Sequence, residues 1–157
     1  MKTNTLFIPL MFCFFQISYA QTPVNNKQVV RQYIDEVVNK QQFNRMDDVF
    51  STDYIWHQMD GKDTHSRQDS SHVVMLKYIL KAIPDIQYTI DSMVSEGDLV
   101  AVNSTATGRI KNGFMGIPAT GKKVRFKQMF FFRVVNNKIA EEWEVVDVAG
   151  LKDQLSK

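Results

Sequence analysis

The chain has 157 residues, 44% hydrophobic and 23% charged, the make-up of one ordinary globular domain with room for a sizeable core. A formal net charge of +2 excludes the basic footprint of a nucleic-acid or anionic-membrane binder. One cysteine, Cys13, excludes a disulfide framework and a cysteine metal site.

The first twenty residues differ from the rest. Lys2 gives a positive start, Leu6 to Phe15 is almost wholly apolar, and Ser18-Tyr19-Ala20 supplies small residues before a cut. This pattern predicts a secretory signal peptide over residues 1–20, cleaved before Gln21, with residues 21–157 as the domain. The apolar run is short of the roughly 20 residues that span a bilayer, so no membrane partner is expected after cleavage. The expected location is periplasmic or secreted.

Asn25-Asn26 opens a first helix, in which Val29, Val30, Tyr33, Ile34, Val37 and Val38 recur at helical spacing through Lys40. Gln41 to Phe50 reads as a turn and a short helix, and Asp53 to Gln58 as a strand. Asp60 to Ser66 is polar and reads as irregular. A helix is predicted from about Arg67 to Ala82, ended by Pro84. Four strands follow, at 86–94, 99–108, 124–135 and 139–147, and a terminal turn or helix from Gly150. Helices first and strands second indicate an α+β fold: a curved antiparallel sheet wrapped over the N-terminal helices, forming a cone-shaped pocket.

In the third of these strands one face carries Val124, Phe126, Gln128, Phe130, Phe132 and Val134. A lone amide on that face needs a backbone partner or a ligand, since burying it unpaired costs about 1–3 kcal/mol. What faces it depends on the hairpin at Asn136-Asn137. A two-residue loop sets Val145 opposite Gln128, whereas a three-residue loop pairs Val134 with Lys138 and sets Glu144 opposite Gln128 and Glu142 opposite Phe130. The three-residue loop is the expectation, because Asn tolerates positive φ. Glu144 then enters an apolar cavity, the setting of a general acid or base; Glu141, Glu142 and Glu144 could equally belong to a solvated edge strand. His57 is a candidate proton relay or substrate-orienting group at the pocket rim, although a surface or satisfied histidine is the more common case on spacing alone. His57, Asp60, His65 and His72 lack the tight spacing of a metal site, so no metal is expected. Gly113, Gly116 and Gly121 precede a strand rather than a helix and make no phosphate cradle.

Several stretches together carry a family resemblance: Ala82-Ile83-Pro84-Asp85, Glu96-Gly97-Asp98-Leu99-Val100, Thr107-Gly108, Phe114-Met115-Gly116-Ile117-Pro118-Ala119-Thr120-Gly121, and Glu142-Trp143-Glu144-Val145-Val146-Asp147 with Leu151 and Gln154-Leu155. The chain resembles the SnoaL-like polyketide cyclases, or ester cyclases, from about Asn26 to Leu155. The resemblance implies the nuclear transport factor 2-like (cystatin-like) cone and a pocket carboxylate acting as acid–base in aldol ring closure, without metal or organic cofactor. It assigns that role to Glu144, where the family generally has Asp. It places His57 and Gln128 among the pocket polar groups and Phe130 where some members have His. Asp147 is a second candidate acid, set opposite Arg125 by the expected register.

The site residues that follow are Glu144 and His57 as catalytic groups, and Gln128, Phe126, Phe130, Phe132 and Glu142 around a hydrophobic small molecule. The function that follows is acid–base chemistry on a carbonyl compound, by aldol cyclisation or isomerisation. The alternative is an exported protein that binds a hydrophobic ligand without chemistry. Met129, Phe131 and Trp143 leave the outer sheet face apolar, which points to a homodimer.

Overall fold

A computed structural model of the protein describes residues 25–65 and 71–156; the expected signal peptide lies outside them. Helix α1 (Asn26–Gln32) starts at Asn25, whose side chain accepts from the Lys27 N–H at 3.0 Å. It runs on as a π-helical segment, Tyr33–Val38, and the apolar stripe predicted from spacing is buried along both. The π turns end the helix two residues before Lys40. Asn39 there clamps the backbone of Tyr88, its amide donating to the carbonyl at 2.9 Å and its oxygen accepting from the N–H at 2.8 Å. A 3-10 turn (Phe43–Arg45) and helix α2 (Met46–Val49) lead into the sheet.

The strands are β1 (Phe50–His57), β2 (Asp63–His65), β3 (Gln87–Glu96), β4 (Leu99–Arg109), β5 (Lys123–Val135) and β6 (Lys138–Val146). They form one curved, open sheet in the order β2-β1-β6-β5-β4-β3. Helix α3 (Ser71–Ala82) contributes Leu76 to the core on the inner side, and helix α4 (Val148–Leu155) packs along β5 and buries Leu151. The expected wholly antiparallel sheet is corrected to a mixed one: β1 runs parallel to β6, pairing Trp56 with Glu142 and His57 with Trp143. Such a pairing joins residues far apart in sequence, so no local pattern announces it. The short β2, within a stretch read as irregular, pairs with β1.

The β5–β6 hairpin also differs from expectation. Asn136 (φ 51°) and Asn137 (φ 61°) are both left-handed, as a two-residue type I′ turn requires, and Val135 pairs with Lys138. The three-residue loop is therefore overturned. The ladder then slips by one: Val134 faces Ile139 but Arg133 faces Glu141, so Ala140 is the extra residue of a bulge. That slip sets Phe132 opposite Glu142, Phe130 opposite Glu144 and Gln128 opposite Val146. Both glutamates reach the inner face, as expected, through the bulge rather than the turn. Asp147 does not meet Arg125. It caps α4, accepting from the Gly150 N–H at 2.8 Å, while Gln154 holds the Arg125 backbone.

Gly108 lets β4 pass against the α3–β3 junction. A Cβ there would lie 2.3 Å from Ile83 Cγ2 and 3.1 Å from Ile86 Cα, both of them buried residues. Gly108→Ala is expected to cost about 1–3 kcal/mol through overpacking. Urea denaturation checks this; an unchanged midpoint would show that the junction yields.

Candidate active site

The concave face of the sheet, the π-helical segment and α3 enclose a cavity with about 20 Å³ of room for the centres of water molecules. That is space for roughly one or two waters. Its walls are Tyr33 and Ile34 from the helix, Trp56 from β1, Met75, Leu76 and Ile79 from α3, Tyr88 from β3, Gln128 and Phe130 from β5, and Glu142 and Glu144 from β6. None of these is basic.

A buried polar chain crosses it. Tyr88 Oη donates to Gln128 Oε1 at 3.0 Å, and Gln128 Nε2 donates to Glu144 Oε2. Gln128 is only 3% exposed, so its amide is satisfied at both ends by side chains. Its own backbone carbonyl accepts from Ser104 Oγ at 2.8 Å, which fixes the strand beneath it. Two positions along β6, Glu142 is 2% exposed and accepts from Tyr54 Oη at 2.7 Å. Burial raises the pKa of Glu144 above the ordinary carboxylate value, and donation from Gln128 lowers it by less. Burial raises that of Glu142 well above it, the charge of Glu144 adds to this, and Tyr54 opposes it. Burial likewise pushes up the phenols of Tyr33, Tyr54 and Tyr88, so all three remain neutral donors.

Of the residues expected at the site, Glu144, Gln128, Phe130 and Glu142 are brought together. Phe126 and Phe132 share their face but are core: Phe132 packs edge-on to Tyr33 and stacks on Phe130 at 5.5 Å, and Phe126 neighbours Phe114. His57 is on the other face. Its ring stacks on Trp143 at 4.3 Å and 10°, Nδ1 lies 2.8 Å from Asp63 Oδ1, and Nε2 lies 3.1 Å from Glu141 Oε2. Glu141 also binds Arg133 Nε at 3.0 Å. His57 thus lies outside this cavity, while it and Glu144 both line an open cleft with Trp56, Gln58 and Val146. Pairing His57 with Trp143 directs both rings outward and Trp56 inward. Sequence reasoning missed Tyr33, Tyr54 and Tyr88. Their signal was available in each case as a phenol on an apolar face, which needs a partner when buried.

Residues 28–155 match the family model of SnoaL-like polyketide cyclases. No curated protein matches the sequence. Among solved structures, AclR of Streptomyces galilaeus, a hydroxylase candidate, superposes with a TM-score of 0.72 at 25% identity, covering 83% of this chain and 95% of its own. IdmH of Streptomyces antibioticus, a polyketide cyclase candidate, gives 0.74 at 21% identity, covering 85% and 100%. A SnoaL-like polyketide cyclase of Agrobacterium tumefaciens gives 0.74 at 23% identity, covering 84% and 98%.

The raised pocket carboxyls set a pH dependence of stability. Above the ordinary carboxylate range the folded chain binds more protons than the unfolded one. The stability these groups carry is full below that range and is lost as pH rises through their folded values. Each unit by which a carboxyl is raised corresponds to about 1.4 kcal/mol. The double variant Glu142→Gln/Glu144→Gln is therefore expected to gain on wild type between pH 5 and pH 8. Urea unfolding at the two pH values measures it, and parallel behaviour of the two proteins would show that the carboxyls ionise freely in the fold.

Proposed function

The chain belongs to the SnoaL-like polyketide cyclase family, and from that footing we propose an acid–base enzyme acting on a hydrophobic carbonyl compound, with Glu144 as the group that removes and returns a proton. The observation that carries this is the Tyr88–Gln128–Glu144 chain, which ends in a carboxyl inside an apolar wall. Aldol closure and isomerisation both begin with loss of a proton beside a carbonyl. A base is most effective when its pKa approaches the working pH, and burial moves Glu144 in that direction. Gln128 holds one carboxyl oxygen, so the group is aimed before substrate arrives.

The aromatic floor of Phe130 over Phe132 leaves little depth, which favours a small ligand. Met75 is the wall most able to move, being unbranched and adaptable. A second reading, a carrier of hydrophobic molecules without chemistry, is favoured by the leader-like start of the sequence. Polyketides are cyclised where they are made, inside the cell, whereas Lys2, the run Leu6 to Phe15 and Ser18-Tyr19-Ala20 support export.

Glu144→Gln separates the two readings. Turnover of an activated ketone is expected to fall by about 100-fold or more while ligand affinity stays within a few fold. Equal, negligible turnover by both proteins with equal binding would establish the carrier.

We also propose a homodimer through the outer sheet face. There Val94, Met129, Phe131 and Val145 are exposed beside Trp143, around a groove of about 330 Å³. Native mass spectrometry of the exported protein is expected to show dimers of chains beginning at Gln21, and monomers for Phe131→Glu. A wild-type monomer, or chains still beginning at Met1, would refute the corresponding part.

A further inference from the structure

We propose that the open cleft beside Glu144 is the subsite for the apolar body of the substrate, an aromatic or conjugated ring system carrying the reacting carbonyl, and that Met115 is the side chain that selects it. This deepens the acid–base reading, on which it rests for the carbonyl end alone.

The argument begins with space. The inner cavity offers about 20 Å³, whereas a cavity that admits benzene measures roughly 150 Å³. A ring compound that reaches Glu144 therefore keeps its body outside that cavity. The cleft offers about 430 Å³ by the same measure, and Glu144 lines both spaces. The cleft exists because β1 and β6 part company. They run side by side as far as the pairing of His57 with Trp143. The chain after His57 then turns away, with the Gln58 N–H donating to the Lys62 carbonyl at 3.0 Å, while β6 continues to Val146. The groove on the outer face also borders Glu144, but Met129, Phe131 and Val145 there stand on the side of the sheet away from its carboxyl.

The chemistry of the cleft divides in two. Its polar groups are engaged within the protein. His57 lies between Asp63 and Glu141, Gln58 Nε2 donates to Thr64 Oγ1 at 2.7 Å, and Asp60 Oδ1 accepts from the Lys62 N–H at 3.0 Å. Its apolar groups stand open: Met59 is 74% exposed and Met115 44%. Thioether sulfur makes favourable contacts with aromatic rings, and the unbranched side chain adapts to their outline. Trp56 adds a ring surface of its own.

Met115 is placed there against local preference. Phe114 and Ile117 exchange backbone hydrogen bonds at 2.9 and 2.8 Å around Met115 (φ 49°) and Gly116 (φ 76°). Two positive φ values make a type I′ turn, whose first central position favours Asn or Gly. A methionine is disfavoured there by its Cβ. The turn is nevertheless fixed, because Phe114 and Ile117 are buried and the Lys111 and Asn112 N–H groups donate to the Ala82 carbonyl at 2.9 and 3.2 Å. A strained, exposed, apolar residue gives the fold nothing in return. At the wall of a cleft that leads to Glu144, its use is contact with what binds.

The probe is 2-acetylnaphthalene, a methyl ketone on a two-ring body. In protein labelled with 13C at the methionine methyls, its ring current is expected to shift the signals of Met115 and Met59 and to leave Met129 on the outer face unmoved. Met115→Asn suits the turn and is expected to raise the urea midpoint while weakening binding about 10-fold. Met115→Leu, close in volume, is expected to stay within about 3-fold of wild type. Wild-type affinity in Met115→Asn, movement of Met129 in place of Met115, or no binding by wild type overturns the subsite. Glu144→Gln is expected to keep the binding, since occupancy is read rather than turnover. A wild type that holds the ketone at Met115, yet fails to exchange its methyl protons with deuterated solvent, supports the subsite and counts against proton transfer by Glu144 alone.

Discussion

Two carboxyl groups on the inner face of β6, set among apolar walls, impose the condition that the rest of this fold satisfies. A charged group in an apolar interior is tolerated only with hydrogen-bond partners or with a retained proton. Both carboxyls have hydrogen-bond partners. Gln128 reaches Glu144 from β5, and Tyr54 reaches Glu142 from β1, so each glutamate is bound from a neighbouring strand on opposite sides of β6. The core aromatics then close around these bonds. Phe50 meets Tyr54 edge-on at 4.7 Å, Tyr33 meets Phe132 at 5.9 Å, and Tyr88 meets Phe130 at 6.0 Å. Every phenol that serves a carboxyl or the amide is thereby fixed by a ring contact as well as by its hydroxyl.

The parallel placement of β1 beside β6 is what makes this possible. An antiparallel hairpin partner would come from nearby sequence. The parallel partner comes from the far end of the chain and brings Tyr54 and Trp56 to the side of β6 that β5 leaves open. On the far side of β5, Asn39 fixes the start of β3 through the Tyr88 backbone. The π-helical segment that ends at that clamp presents Tyr33 and Ile34 to the cavity. Helix end, central strands and sheet edge thus meet at one small volume.

Much of this was legible in the sequence, and the parts that were not share a cause. The inner face of β5 follows from alternation alone, and Gln128 stands out on it as an amide that must be paired. The face of Glu144 was read correctly from an incorrect turn. A three-residue loop and a two-residue turn followed by a bulge both shift the alternation by one residue, so they agree on which side chains point inward. Asn136 and Asn137 fit either turn, and Ala140 carries no bulge signature, so sequence could not separate them. The face of His57 was open for another reason. Alternation opposes it to Trp56 but does not say which of the two faces inward; the pairing of Trp56 with Glu142 settles that. The three tyrosines escaped notice because they converge from three elements spread over residues 33 to 88.

The same alternation divides the sheet into two chemistries. Inward residues of β6 are Glu142 and Glu144, set in apolar walls; outward residues are Glu141, Trp143 and Val145. On the outer face the polar groups are paired in a chain that runs from Asp63 through His57, Glu141 and Arg133 to Asp98, at distances of 2.7–3.1 Å. These charges are solvent-screened and can exchange partners at little cost. The inner pair is held instead by Tyr54 and Gln128 among apolar side chains. A histidine between two carboxylates therefore looks more like a catalytic constellation than a glutamate beside a glutamine does, yet burial reverses that ranking. His57 lies partly exposed between Asp63 and Glu141. Glu142 and Glu144 sit in apolar walls with Tyr54 and Gln128 as donors, and burial raises both carboxyls, which is the condition under which a carboxyl's protonation state can be used for chemistry.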